Sequence, residues 1–420
     1  MKKPSLLRTV CIVFVFCAAT AIASPAQIFT TLYSFCSQTN CADGAGVDAA
    51  PVQAADGNFY GTTCCGGAYG PGTIFKITPS GTLTTLYNFC SQKNCADGSY
   101  PYAGLLQATD GNFYGTTYRG GANDYGAVFR VTPSGTLTTL YSFCSQSNCA
   151  DGTLPGAGLV QASDGNFYGT TSGAPVTQGT VFKITPSGTL TTLYSFCSQP
   201  NCSDGADPQA GLVQATDGNF YGTTVDGGTS GNCGFDGCGT VFKITPRGTL
   251  TTLHSFDGGD GYWPFAGLVQ ATDGNFYGTT YGGGHNSWGT VFKFTPSGTL
   301  TTLYGFCLYC ADGFEPVAGL VQATDDDFYG TTSVGGAAGR GNCPEPYGKG
   351  CGTVFKITPS GTLTRLHSFE GADGWGPSAG LVQATDGNFY GTTSAGGAHN
   401  EGTVFRLVSE RPCFSCPLQW

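Results

Sequence analysis

The stretch Asp-Gly-Asn-Phe-Tyr-Gly-Thr-Thr at residues 56–63 recurs unchanged from Asp110, Asp164, Asp217, Asp273 and Asp386. A seventh copy starts at Asp325 as Asp-Asp-Asp-Phe-Tyr-Gly-Thr-Thr. Successive copies are 54, 54, 53, 56, 52 and 61 residues apart. A period near fifty residues admits few architectures: a solenoid, a propeller or an array. It overrides the two or three domains that 420 residues would otherwise suggest.

One unit spans residues 158–196, and its pattern predicts four strands. Strand a is 158–162, b is 167–171, c is 180–185 and d is 189–196. The a–b link, Asp-Gly-Asn, holds residues that tolerate positive φ. The c–d link, Pro-Ser-Gly, holds a Pro that presets φ and a Gly for the left-handed position. The b–c and d–a links are longer and vary. Four antiparallel strands per fifty residues describe a propeller blade. Strands b and c are apolar on both faces, as a sheet sandwiched between two neighbours must be. Aromatic residues supply that core: 29 Phe and 21 Tyr stand against 4 Trp and 1 Met.

The two ends of the pattern complement one another. It begins with a lone strand d at 28–35 and ends with strands a, b and c at 380–384, 389–393 and 403–408. The first strand therefore completes the last blade. The expectation is an all-β, seven-bladed β-propeller over residues 24–408, closed with no free edge. Strand polarity sends all tight turns to one face and all long, diverse loops to the other. Binding belongs on the loop face, because loops on a rigid scaffold carry function.

Residues 1–23 read as a signal peptide. Lys2, Lys3 and Arg8 precede an apolar run from Val10 to Ala19, and Ala21-Ile22-Ala23 is a cleavage site. The apolar run is about half of the roughly 20 residues a membrane span needs. The expected location is secreted, periplasmic or cell surface, with no membrane span after the signal is removed. Seventeen basic and 27 acidic residues become 14 and 27 without the signal, a balance of −13. That argues against nucleic acid and anionic membranes, and leaves neutral or cationic partners.

Two of the 20 cysteines, Cys11 and Cys17, lie in the signal. The others fall in local pairs: Cys36/Cys41, Cys90/Cys95, Cys144/Cys149, Cys197/Cys202, Cys233/Cys238, Cys307/Cys310, Cys343/Cys351 and Cys413/Cys416. In a secreted chain these read as disulfides, and zinc is the lesser alternative. Cys64 and Cys65 are adjacent, and a bond between neighbours is strained. Their pairing stays open.

Two rings of Asp recur. One opens the Asp-Gly-Asn turn. The other precedes strand a at Asp43, Asp97, Asp151, Asp204, Asp260, Asp312 and Asp373. Both read as Asx-type turns, with calcium at the second ring as the alternative. No other cofactor is expected. Catalysis would use residues that break the repeat, and no spacing picks out a carboxylate pair among Glu315, Glu345, Glu370 and Glu401. His254 and His367 replace the Tyr of strand d and read as packing variants. The repeat-breaking residues singled out for ligand contact are Trp263, Trp288, Trp375, Tyr102, Tyr118, His285 and His399. Capping of the blade ends is the alternative role for the aromatic ones.

The repeat core, from Asp-Gly-Asn-Phe-Tyr-Gly-Thr-Thr through Gly-Thr-Val-Phe-Lys-Ile-Thr-Pro-Ser-Gly to Leu-Tyr-Ser-Phe, resembles the GloVer tandem repeat of "choice-of-anchor" proteins. The resemblance spans nearly all of residues 28–408. It implies bacterial export and often a C-terminal anchor, and it supplies no catalytic residues. Here a Cys-containing tail, 409–420, stands where that anchor would be. The expectation is a monomeric, non-enzymatic scaffold that binds carbohydrate or an extracellular protein on its loop face. The alternatives are a polysaccharide hydrolase or lyase with an axial site, and a purely structural surface protein.

Overall fold

A computed structural model describes residues 28–173, 176–234, 236–308, 310–336, 343 and 350–408. The signal peptide, the tail with Cys413 and Cys416, and Glu345 lie outside the described residues. The strands form seven four-stranded antiparallel sheets, each in the order a-b-c-d. In blade three the strands are Val160–Gln161, Phe167–Thr171, Thr180–Ile184 and Leu190–Ser195.

Strand a is shorter than its sequence pattern suggests. The Ala162 N–H already belongs to the turn, where it bonds the Asn166 carbonyl at 2.9 Å. Gly158 turns instead toward the backbone of Gly104 in the preceding blade. The closing blade pairs Phe29–Ser34 with Thr403–Leu407, Phe29 opposite Leu407. The first strand therefore shuts the ring.

Strand b is buried along its length in every blade, whereas strand d is half-exposed. Strand d is thus outermost and strand a innermost. The Phe-Tyr pair of strand b explains the apolar character on both faces. Its rings point to opposite sides of the sheet. Tyr60 stacks on Phe113 of the next blade at 4.2 Å, Tyr114 on Phe167 at 4.1 Å, and Tyr277 on Phe328 at 4.0 Å. The series closes with Tyr390 on Phe59 at 4.1 Å. Each core cluster draws on two blades. One joins Tyr114, Val128 and Phe143 to Phe167, Phe182 and Ile184. The core therefore sits between blades. The Gly that follows Phe-Tyr is required there, because a Cβ on Gly115 would meet the Phe129 ring at 2.7 Å.

The tight turn is built as its residues demand. Asp56 accepts the Asn58 N–H at 3.0 Å, the Asn58 side-chain amide at 2.9 Å and the Tyr60 hydroxyl at 2.9 Å. Lys76 of strand c reaches the same carboxylate at 2.8 Å. Burial opposes this charge, but the bonds from Lys76, Asn58 and Tyr60 outweigh it and hold Asp56 well below the usual carboxylate range. The same holds for Asp164 and Asp273. Folded values below the unfolded one give stability that is complete above about pH 4 and lost as pH falls through the lowered values. Urea midpoints should therefore fall steadily below pH 4. A midpoint flat from pH 5 to pH 2 would contradict this.

Among the described residues, seven disulfides join Cys36–Cys41, Cys90–Cys95, Cys144–Cys149, Cys197–Cys202, Cys233–Cys238, Cys307–Cys310 and Cys343–Cys351. Cys64 and Cys65 carry free thiols. The second Asp ring holds the d–a loops. Asp43 accepts the Tyr33 hydroxyl at 2.7 Å, the Ser37 N–H at 2.9 Å and the Gln38 N–H at 3.1 Å. Where His replaces that Tyr, its Nε2 meets the same Asp, His254–Asp260 at 2.6 Å and His367–Asp373 at 2.8 Å. His367 also stacks on Phe29 at 3.7 Å. These carboxylates lie against the outer strand, not at the axis, and their oxygens serve the loop.

Candidate functional site: an axial crater on the loop face

Just before strand a, small residues crowd the axis. A Cβ on Gly104 would lie 3.2 Å from the Ala50 carbonyl, and one on Gly380 3.1 Å from that of Gly319. On the loop side of this collar, three positions per blade form a rim. The first holds Gly46, Tyr100, Leu154, Asp207, Trp263, Glu315 and Gly376 in blades one to seven. The second lies two residues on: Asp48, Tyr102, Gly156, Gln209, Phe265, Val317 and Ser378. The third follows strand b: Cys64, Tyr118, Ser172, Val225, Tyr281, Ser333 and Ser394.

One backbone frame carries all three. The third position's N–H bonds the first position's carbonyl in every blade, at 2.8 to 3.2 Å. The first position is left-handed in every blade, with φ from +54° to +66°. The frame is constant and the side chains on it differ blade by blade. Tyr, Leu, Trp and Glu stand where two blades use Gly. Left-handed backbone costs such residues about 1–2 kcal/mol each. Strain of this kind gathers at functional sites.

The rim is asymmetric. Blade two contributes a Tyr cluster, with Tyr102 edge-on to Tyr118 at 5.4 Å and parallel to Tyr100 at 6.4 Å. Blade five contributes Trp263 at 6.1 Å and Phe265 at 5.6 Å from Tyr281. Tyr100 and Tyr102 are each 38% exposed, so their rings are open to a ligand. Acidic groups stand between the aromatic clusters. Burial pushes the Asp48 carboxyl up, and bonds from Cys64 and Ser378 only partly offset it. Burial likewise raises Asp207, against one bond from Gln209. Asp226, just beyond the rim of blade four, is pushed up to about 6 by burial and by Asp207 and Asp236. These groups hold protons further toward neutral pH than ordinary carboxylates.

A cavity of about 290 Å³ opens between blades five, six and seven, lined by Tyr281, Glu315, Ser333, Trp375 and Ser378. A larger one, about 670 Å³, lies among the loops around Asn201, Asp226 and Asp236.

Of the residues singled out in the sequence, the structure brings Tyr102, Tyr118 and Trp263 to the rim. Trp375 lines the adjoining cavity and donates to Asn400 Oδ1 at 3.1 Å. Trp288 packs edge-on against Phe314 at 5.2 Å and caps a blade core. His285 and His399 are exposed on b–c loops outside the rim positions. Sequence reasoning passed over Asp48, Asp207, Gln209 and Phe265. A signal existed: aligning the seven units shows Asp207, Gln209 and Phe265 flanking a Pro that six of the seven blades share, and Asp48 beside the Val47 that replaces it in blade one.

A closed ring of repeated blades around a variable axial rim defines a seven-bladed β-propeller of the tandem-repeat kind. The chain belongs to the Gloeobacter/Verrucomicrobia repeat family, whose model matches residues 21–235 and 197–343. No curated protein sequence matches it. Among solved structures, hydrazine synthase of Kuenenia stuttgartiensis is similar at 14% identity and TM-score 0.54, over 89% of this chain and 98% of that one. A fungal alcohol oxidase in complex with copper is similar at 14% identity and TM-score 0.53, over 87% and 74%. The periplasmic gluconolactonase of Pseudomonas aeruginosa shares 15% identity at TM-score 0.48, over 83% and 99%. At such identities the likeness is one of fold alone.

Proposed function

We propose that this protein is an extracellular, non-enzymatic binding scaffold that takes a carbohydrate in the axial crater. The observation that carries this reading is the rim itself. One invariant backbone frame presents different side chains in each blade, several of them at a conformational cost. Aromatic faces in blades two and five, with carboxyl, amide and hydroxyl groups between them, combine apolar platforms with a few orienting polar groups. Seven local disulfides suit an oxidising compartment. The acidic balance disfavours nucleic acid.

The test is a glycan array probed with mature protein, followed by titration of three variants. Tyr102→Ala and Trp263→Ala should each weaken binding about tenfold, the worth of one aromatic contact near 1.4 kcal/mol. Tyr100→Gly separates function from folding. It relieves a left-handed backbone and should stabilise the fold by about 1 kcal/mol while weakening binding. A flat array, or variants that bind as well as wild type, would overturn the carbohydrate reading. Release of new reducing ends from a bound glycan would favour the hydrolase alternative.

A further inference from the structure

Cys64 and Cys65 are the described cysteines outside a disulfide. Cys64 occupies the third rim position of blade one. Side chains of successive residues in extended chain point to opposite sides, which would hold two adjacent sulfurs apart. Here the two Sγ atoms lie 3.0 Å from each other. The backbone keeps them there. The Cys64 N–H bonds the Gly46 carbonyl at 2.8 Å, and Cys65 exchanges both backbone bonds with Ala45 at 2.9 and 3.0 Å. Gly46 makes room, since a Cβ there would lie 2.6 Å from the Cys64 sulfur. Cys64 is buried and Cys65 is half-buried.

We propose that Cys64 and Cys65 form a reversible vicinal disulfide, exchanged with small-molecule disulfides that reach the axial crater. The Cys65 thiolate attacks one sulfur of the external disulfide. A mixed disulfide forms at Cys65, and the first external thiolate leaves and takes up a proton. Cys64 then gives up its proton and attacks the Cys65 sulfur, and the second external thiol departs. The protein dithiol is oxidised by two electrons, and one external disulfide becomes two thiols. The more exposed Cys65 is the attacking sulfur. Its thiol is pulled down to about 7, first by the hydrogen bond from Cys64, against burial and the charges of Asp48 and Glu401. Thiolate fraction and access govern such exchange.

The ring so closed differs from the other described bonds in size. It spans a single peptide unit, which has to distort to let neighbouring sulfurs bond, whereas the others join residues 3, 5 or 8 positions apart. A strained bond is more easily reduced, and strained bonds are the labile, regulatory ones. The switch also touches the rim. The Cys64 thiol lies beside the Asp48 carboxyl, and both thiols lie in the electrostatic surroundings of Tyr102. Oxidation removes the thiol protons beside Asp48 and the Tyr cluster.

The test holds mature protein in glutathione buffers of graded ratio, then quenches, alkylates and maps labels by mass. The peptide with Cys64 and Cys65 should carry two labels in reducing buffer and none in oxidising buffer. It should open at a reduced-glutathione level at least tenfold below that which opens any of the seven disulfides among the described residues. Two labels at every ratio, opening together with the other bonds, or a link from either residue to a different cysteine would each overturn the proposal. Single variants then assign the attacking sulfur. Cys64→Ser should form a mixed disulfide with glutathione at least tenfold faster than Cys65→Ser. Equal rates would remove Cys65 from that role.

Discussion

Removal of residues 28–35 should leave the protein without a stable fold at 25 °C. This strand is the outer edge of the last blade, paired along Thr403–Leu407. Phe35 is fully buried and packs against Phe75 of blade one at 5.2 Å. Phe29 lies 5.1 Å from Phe405 and stacks on His367. The strand therefore joins the last blade to both of its neighbours. Loss of one buried Phe costs about 3–5 kcal/mol. That loss at Phe35, with a smaller one at half-buried Phe29 and the lost ladder to strand c, approaches the net stability of a typical domain, about 5–15 kcal/mol. The deletion also bares strand c as an edge, which promotes association. Size-exclusion chromatography should show aggregate or an expanded chain, and the cooperative thermal transition should vanish. A monomer melting within a few degrees of the full chain would refute closure by this strand.

Asp43→Ala should cost about 3 kcal/mol, although it touches no core hydrophobe. The carboxylate is fully buried and collects the Tyr33 hydroxyl and two backbone N–H groups. Burial resists its charge, and the bonds from Tyr33, Ser37 and Gln38 overcome that and lower its pKa. Alanine leaves the half-buried Tyr33 hydroxyl and the Ser37 and Gln38 N–H groups without their charged acceptor, at about 1 kcal/mol for each bond lost. Urea unfolding at pH 7 should show a lower midpoint at unchanged slope. A loss below 1 kcal/mol would mean that water replaces the carboxylate without penalty. Asp56→Ala is the comparison. Its carboxylate is far more exposed, so the change should be clearly smaller.

The architecture was legible in the chain because its determinants are local and repeated. Asp-Gly-Asn and Pro-Ser-Gly mark turns within a few residues, and Phe-Tyr on strand b declares two buried faces. The count of strand types, with a lone strand d at 28–35 and strands a, b and c in the last unit up to residue 408, required only that the ring close. The His254 and His367 substitutions were visible as packing variants. Their pairing with Asp260 and Asp373 was not, because it depends on the path of each d–a loop.

The site divides differently. The sequence by itself determined which residues break the repeat and on which face they fall. It placed Trp263, Trp288, His285 and His399 on equal terms, since all four are irregular and all four lie on the loop face. Only the tertiary structure separated them, by distance from the axis. Trp263 follows the path into an innermost strand and reaches the rim with Phe265 and Tyr281. Trp288 ends against Phe314 and caps the core between blades five and six. Residues such as Asp48, Tyr102 and Asp207 are brought to one rim from separate repeats because the innermost strands converge as the ring closes. Convergence of that kind is a property of the closed ring and leaves no mark within any one repeat.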